Sequence, residues 1–427
     1  MTTCSSLRAH APTMSILRRQ SDCSVRSARS ADSLSAEGRS AVNIIWRFGW
    51  ALADQMLSSA TNFLLALLIA RTVGPHELGA FSLAYATFTF SLGAVRAIAG
   101  ELLVVRHSAV SANEWGDGVR RAAGTALMAG IAVGTGCLVA GVSVGEPFRT
   151  VLSIVGISLP FLLVQDVWRF AFFARGRGSA AFINDLVWAT LVFAAFAVLR
   201  YVGVASVAWF TFGWAAAGSL ATIFGVLQLR VLPSGPRTAV RWLRRHSDIA
   251  PRFFAEFAVG TGVSSFTLFA MGAIAGLGEV GRLRAGEIAL GPLNVLFLGL
   301  GLVATAESVR LLHESPRRFV LGCRWLSLSM TAGVLAWGAI ILLLPRSFGV
   351  IALRANWDAA RSLLPPLLIA VAGSGTAFGA WIGLRSLAAA KRSLRAKCID
   401  GLLTLVFALA GDVPAVEQLF QASIDFF

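Results

Sequence analysis

Residues 51–95 read ALADQMLSSATNFLLALLIARTVGPHELGAFSLAYATFTFSLGAV. Two apolar runs, each of the ~20 residues that span a hydrocarbon core ~30 Å thick, flank the polar stretch at 71–79. Gly74 and Pro75 cannot easily continue a helix, and Gly79 permits close packing as the second run begins. The stretch therefore reads as two membrane helices joined by a polar hairpin just outside the bilayer.

Working outward, blocks of the same length recur. They place membrane helices at about 48–70, 79–103, 122–144, 150–173, 182–199, 204–229, 253–276, 285–305, 321–344, 363–384 and 398–411. Eleven such blocks use ~220 residues, about half of the 427-residue chain. Composition agrees: 56% of residues are hydrophobic and 14% charged, against roughly 45–50% and 25% in soluble domains. With mean hydropathy at +0.72, a cytosolic enzyme is excluded. The expected fold is all-α, a polytopic membrane helical bundle.

The net charge of +15 would point to nucleic acid in a soluble protein. Here the basic residues sit between apolar blocks and alternate in number from loop to loop. One set of loops, with the N-terminal tail, holds 27 Lys and Arg and the other holds 8, Arg96 and Arg169 lying inside helices. Such a bias puts the N-terminus in the cytoplasm and predicts no nucleic-acid partner. Residues 1–45, rich in Ser, Ala and Arg, have no apolar signal core. They read as a disordered cytoplasmic tail, or as a start misassigned upstream of Met14. The five cysteines, Cys4, Cys23, Cys137, Cys323 and Cys398, show no CxxC spacing and form no metal or disulfide framework.

The chain also repeats. Asp54, Gly74, Glu77 and Gly79 are echoed at an offset of 202 residues by Glu256, Gly276, Glu279 and Gly281. Further on, Thr190–Ala194 is echoed by Thr404–Ala408, with Asp185 and Asp400 ahead of the two runs. Repeats of this kind imply two six-helix lobes related by a pseudo-twofold axis. The expected division is a tail at 1–45, an N-lobe at 46–229, a basic cytoplasmic linker at 230–252, a C-lobe at 253–411 and a short polar tail at 412–427. A twelfth helix has no counterpart, because the chain after Ala410 is too short and polar to span a bilayer.

The hairpin carries Asn62-Phe63, Ala70-Arg71, Val73-Gly74-Pro75, Glu77-Leu78-Gly79 and Phe81-Ser82-Leu83-Ala84. It resembles the opening of bacterial polysaccharide exporters and O-antigen (Wzx-type) flippases. These belong to the multidrug/oligosaccharidyl-lipid/polysaccharide exporter superfamily. The resemblance is specific over about residues 50–110, where Arg96–Glu101 is similar to actinobacterial members, and compositional from there to about 410. It implies a bacterial plasma-membrane transporter with a polyprenyl-diphosphate-linked glycan as cargo, membrane lipids and glycan-biosynthesis proteins as partners, and no cofactor.

Charges buried in a membrane helix cost about 2.5–3.5 kcal/mol on insertion scales and mark functional candidates. The intramembrane set is Asp54, Arg96, Glu101, Asp166, Arg169, Asp185 and Glu256, with Glu307 and Arg310 at the end of the eighth helix. For the anionic diphosphate head that the resemblance implies, arginine's planar fork suits phosphate oxygens, so Arg96 and then Arg169 are the candidate substrate contacts. Asp166, three residues before Arg169 on one helical face, offers a purely local neutralisation instead. Asp54 and Glu256 are candidate ion-coupling carboxylates, and Glu101, Asp166 and Asp185 further intramembrane polar groups.

Two other readings stay open: a drug/cation antiporter of the same superfamily, or an integral membrane glycan polymerase or glycosyltransferase. Cavity charge separates the first from export, arginine favouring an anionic head and carboxylates alone a cation. No His/Cys/Asp cluster, phosphate-cradling Gly loop or nucleophile elbow is present, so no catalytic residue and no metal site are expected. A fourth reading is a non-transporting assembly partner. The Trp residues near predicted boundaries fit an aromatic belt, and the pairs Gly130/Gly134 and Gly375/Gly379 permit tight helix packing.

Overall fold

The computed structural model describes residue 46, residues 49–258 and residues 262–387. The chain divides between Ala53 and Asp54 into two units. The described part of the first is little more than the opening turn of a helix, and the architecture below is that of the second. No strand occurs among the described residues.

Six helices alternate in direction through the first half: α1 (Gly49–Thr72), α2 (Pro75–His107), α3 (Ala112–Gly141), α4 (Phe148–Ala174), α5 (Gly178–Tyr201) and α6 (Val207–Leu229). A short basic helix α7 (Pro236–Arg245) leads into α8 (Ala250–Phe257), α9 (Val263–Ile274), α10 (Leu277–Glu314), α11 (Pro316–Leu343), α12 (Arg346–Leu353) and α13 (Asn356–Ser386). Eight of them, α1 to α6 with α11 and α13, are long and apolar enough to cross a membrane. The molecule is a multi-span helical membrane protein.

In the second half, α8 and α9 cover the described part of the block expected at 253–276. The segment expected at 285–305 lies inside α10, whose 38 residues extend about 57 Å. The charges of α10 that widen it beyond the apolar block, Glu279, Arg282, Arg284 and Glu287, neutralise one another along its first turns. Arg282 pairs with Glu279 at 2.8 Å and Arg284 with Glu287 at 2.7 Å. The tail at 1–45, the segment at 398–411 with Asp400, the polar end 412–427 and Cys4, Cys23 and Cys398 lie outside the described residues.

The repeat is physical. Gly74 caps α2 in extended backbone, with Pro75 next at the first helical position. Its mate Gly276 caps α10 at φ +88°, a conformation that favours glycine. One turn later Gly79 and Gly281 lie against each other. A Cβ on Gly79 would stand 1.8 Å from the Leu277 carbonyl oxygen, and one on Gly281 would stand 1.8 Å from the Pro75 carbonyl oxygen. Leu277 is itself the 202-residue mate of Pro75. Each partner of the contact thus repeats in the other half, which is what a twofold axis requires of a self-complementary interface.

The glycine pairs act in the same way within each half. A Cβ on Gly134 would meet the Gly156 carbonyl oxygen of α4 at 2.2 Å, and one on Gly379 the Cys323 carbonyl oxygen of α11 at 1.9 Å. Apart from His246, every charged or ionisable side chain that is buried among the described residues belongs to the first half: Asp54, Asp166, Arg169 and Asp185.

Candidate functional site

Four helices of the first half bring the charges together. Asp54 sits on α1, Arg96 on α2, Gln165, Asp166 and Arg169 on α4, and Asn184 and Asp185 on α5. On α4, Gln165 and Asp166 lie four and three residues before Arg169, which puts each of them on its face.

Arg96 opens a π-helical turn, Arg96–Gly100, within α2; such turns recur at functional positions. Its guanidinium grips Asp166 with both arms, Nε to Oδ2 at 2.8 Å and Nη2 to Oδ1 at 2.7 Å. The Asp166 side chain is 6% exposed and that of Arg96 35%, so the fork is only half withdrawn from its surroundings. Nη1 keeps no hydrogen-bond partner among the described residues. The Phe170 ring lies 5.9 Å from the guanidinium carbon, within cation–π range.

Arg169 is enclosed differently. Its Nε donates to Asp54 Oδ2 at 2.5 Å and lies 3.6 Å from Asp185 Oδ2, while Nη2 donates to Gln55 Oε1 at 3.2 Å. Asp54 is fully buried, and its second carboxylate oxygen, Oδ1, is buried without a partner. The network runs on through Gln165, whose Nε2 donates to Asp185 Oδ1 at 2.8 Å and Asn184 Oδ1 at 3.1 Å. Asn184 Nδ2 then donates to Gln228 Oε1 and the Ala221 carbonyl of α6.

The local Asp166–Arg169 pair that the spacing offers does not form. Asp166 turns to Arg96 across α2, and Arg169 turns to α1 and α5, because two carboxylates on neighbouring helices already flank it. Three carboxylates face two guanidiniums, so one negative charge is in excess when all five are ionised. An uncompensated charge away from water costs several kcal/mol. The cluster therefore favours one additional positive charge, and the bare Asp54 Oδ1 is an acceptor free to hold it.

Glu101 and Glu256 stand apart from this network. Both are exposed, on α2 and α8, near enough for their charges to repel. No spacing along the chain pairs Arg96 with Asp166, 70 residues away, or Arg169 with Asp54, 115 residues away. Gln165 and Gln228 carry a readable signal, each the one amide side chain of its helix.

No family model matches the sequence, and no curated protein matches it. Solved structures do match. An inward-facing multidrug-resistance MATE family transporter of the MOP superfamily superposes with a TM-score of 0.65 at 12% identity, over 88% of this chain and 94% of that one. The lipid II flippase MurJ, in an inward closed conformation, superposes at 0.66 with 11% identity, over 89% and 85%. The fold is that of MATE and MurJ. An outward-facing MATE structure, also 12% identical, superposes at only 0.52 over 90% and 92%.

Proposed function

We propose that this protein is a membrane transporter that carries its cargo by alternating access between the two halves, with a lipid-linked anionic glycan precursor as cargo. The observation that carries the reading is the reciprocal Gly79–Gly281 contact. Two pseudo-symmetric halves touch intimately at the face reached by the α1–α2 turn, and their separation there would open a path on that side. The positive-inside count favours the extracytoplasmic side for this face, where the halves are closed.

The half-exposed Arg96 fork supports an anionic cargo. Its spare Nη1–H can donate to a phosphate oxygen without releasing Asp166, a charge-assisted bond stronger than a neutral one. Arg169 is more enclosed, its side chain 10% exposed between Asp54, Asp185 and Gln55, and in this reading serves ion coupling. In this scheme the Asp54–Arg169–Asp185 cluster takes up one cation, a proton in the simplest case, and its occupancy biases the halves. MurJ, which shares the fold, is described as a lipid II flippase, and that description supports the cargo class. Partners would be membrane lipids and the glycan-assembling enzymes of the same bacterial plasma membrane, with the N-terminus cytoplasmic.

The excess carboxylate favours a second reading, an antiporter exchanging protons for organic cations. One experiment separates them. In a host lacking its own exporter, the Arg96→Ala chain should insert normally yet display no surface glycan, while cation efflux is unchanged. Normal glycan display by that variant removes the anionic cargo. Loss of drug resistance with Asp54→Asn but no glycan phenotype in either variant establishes the antiporter.

A further inference from the structure

The face closed by Gly79 and Gly281 also bears a cavity of about 310 Å³, lined by Leu68, Arg71 and Thr72 of α1, Phe193, Phe196, Ala197 and Arg200 of α5, and Arg354. Helix direction explains the meeting. α1 and α5 both end at this face, and Arg354 occupies the turn between α12 and α13, which opens there too. Three arginines therefore ring one apolar-floored hollow at the depth where a helix leaves the membrane.

Their lack of partners is the informative part. On the same face Arg282, Arg284 and Arg346 are each held by a carboxylate, from Glu279, Glu287 and Asp358 respectively. Among the described residues no carboxylate pairs with Arg71, Arg200 or Arg354. Arg354 is moreover held at φ +49°, a region costly for any residue with a side chain. Strained non-glycine backbone of this kind clusters at binding sites. A glycine would relieve the strain, and the chain places an arginine there instead.

Below the arginines the walls are apolar. Leu68 and the half-buried Phe193 line the hollow, and Leu64 of α1 and Val198 of α5 are exposed beside it. A cationic rim above an apolar wall matches a lipid: anionic headgroup at the arginines, acyl chains along α1 and α5. Water-facing solutes would leave the apolar wall unsatisfied.

We propose that this cavity binds the phosphate headgroup of an anionic phospholipid in the leaflet at that face. Arg71 and Arg200 belong to the first half and Arg354 to the second, so a single headgroup ties the halves together beside their glycine contact. Bound lipid stabilises the state closed on this face. The inference does not depend on the cargo.

The test uses the full chain, delipidated in detergent and titrated with phosphatidylglycerol or phosphatidylcholine, with bound lipid read by native mass spectrometry. Wild type should retain phosphatidylglycerol over phosphatidylcholine. The triple variant R71Q/R200Q/R354Q should hold phosphatidylglycerol about tenfold more weakly, equivalent to 1.4 kcal/mol, with phosphatidylcholine unchanged. Arg354→Gly is the second variant, because it removes a charge while relaxing the backbone. It should fold at least as stably as wild type and still lose part of the preference. Equal retention of both lipids by wild type, or an undiminished preference in the triple variant, overturns the proposal. Protection by inorganic phosphate without any preference between the lipids also overturns it, since the occupant would then be a free anion.

Discussion

Gly79 and Gly281 press against each other across the pseudo-twofold axis, each leaving no room for a Cβ beside the carbonyl at the start of the opposing helix. The contact joins α2 and α10 at their first turns, where Leu78, Ala80, Phe81, Val280 and Leu283 are all buried. In the transport cycle proposed above, this contact is the one that would part.

Gly79→Val should hold the two helices apart. A side chain forced into a packed contact costs typically 1–3 kcal/mol, enough to shift a two-state balance by about tenfold or more. Spin labels on Arg282 and His76, read by pulsed dipolar spectroscopy, should show a longer distance in the variant than in wild type. An unchanged distribution would mean that the contact plays no part in gating. Gly281→Val should behave alike, because symmetry makes the positions equivalent.

Arg169→Gln strands Asp54 and Asp185 as neighbouring buried carboxylates. Breaking a buried pair from one side costs about 3–5 kcal/mol, so thermal unfolding in detergent should come markedly earlier. Adding Asp54→Asn should restore part of the loss, since residues in one network couple rather than add. Strict additivity of the two effects would show that the pair is energetically unimportant.

Asn356 is fully buried and donates both amide hydrogens to the end of α1, to the Ala70 carbonyl at 2.6 Å and the Val73 carbonyl at 2.8 Å. It caps from the second half a helix of the first. Asn356→Ala leaves those carbonyls unserved and should cost about 1–3 kcal/mol, seen as a lower unfolding midpoint. Proteolysis near Thr72 should also speed up, because the last turn of α1 frays.

His246, at the end of α7, lies tilted against Trp242 with ring centroids 4.2 Å apart and is 6.0 Å from His107. Its burial, aided by Arg106 and Arg245, holds its pKa below the usual histidine value, against the opposing effects of its bond to the Trp242 carbonyl and of Asp248. A depressed value means that the folded protein prefers the neutral ring. Stability is therefore complete above about pH 6.5, the ordinary histidine value, and falls as pH drops from there through the folded pKa. Unfolding midpoints from pH 8 to 5 should decline for wild type and decline less for His246→Gln. Identical slopes would exclude His246 as the cause.

Much of the fold is legible along the chain because membrane insertion is a local matter. Each block of apolar residues must satisfy its own backbone in lipid, and only a helix does so. The boundaries at 49–72, 148–174 and 207–229 follow within a few residues, and the shared offset from Asp54 to Glu256 foretells the twofold contact. The limit shows at α10, where hydropathy marks only the apolar stretch 285–305 of a 38-residue helix.

The candidate site was less readable. The membrane context singled out Asp54, Arg96, Asp166, Arg169 and Asp185 individually, since a charge inside an oily helix stands out wherever it occurs. It also singled out Glu101 and Glu256, which face outward at the margins of their helices.

By itself, then, the sequence determined the material of this protein: helices of membrane length, their alternation, the duplicated half and the list of charges that needed an explanation. Tertiary structure alone decided which charge answers which. Helical periodicity assigns a residue to a face but not to a neighbour, and the partner that neutralises Arg169 or Arg96 arrives from another helix. The same holds for Arg71, Arg200 and Arg354, unremarkable at two helix ends and a turn. Only the packing of α1, α5 and the α12–α13 turn makes them one site.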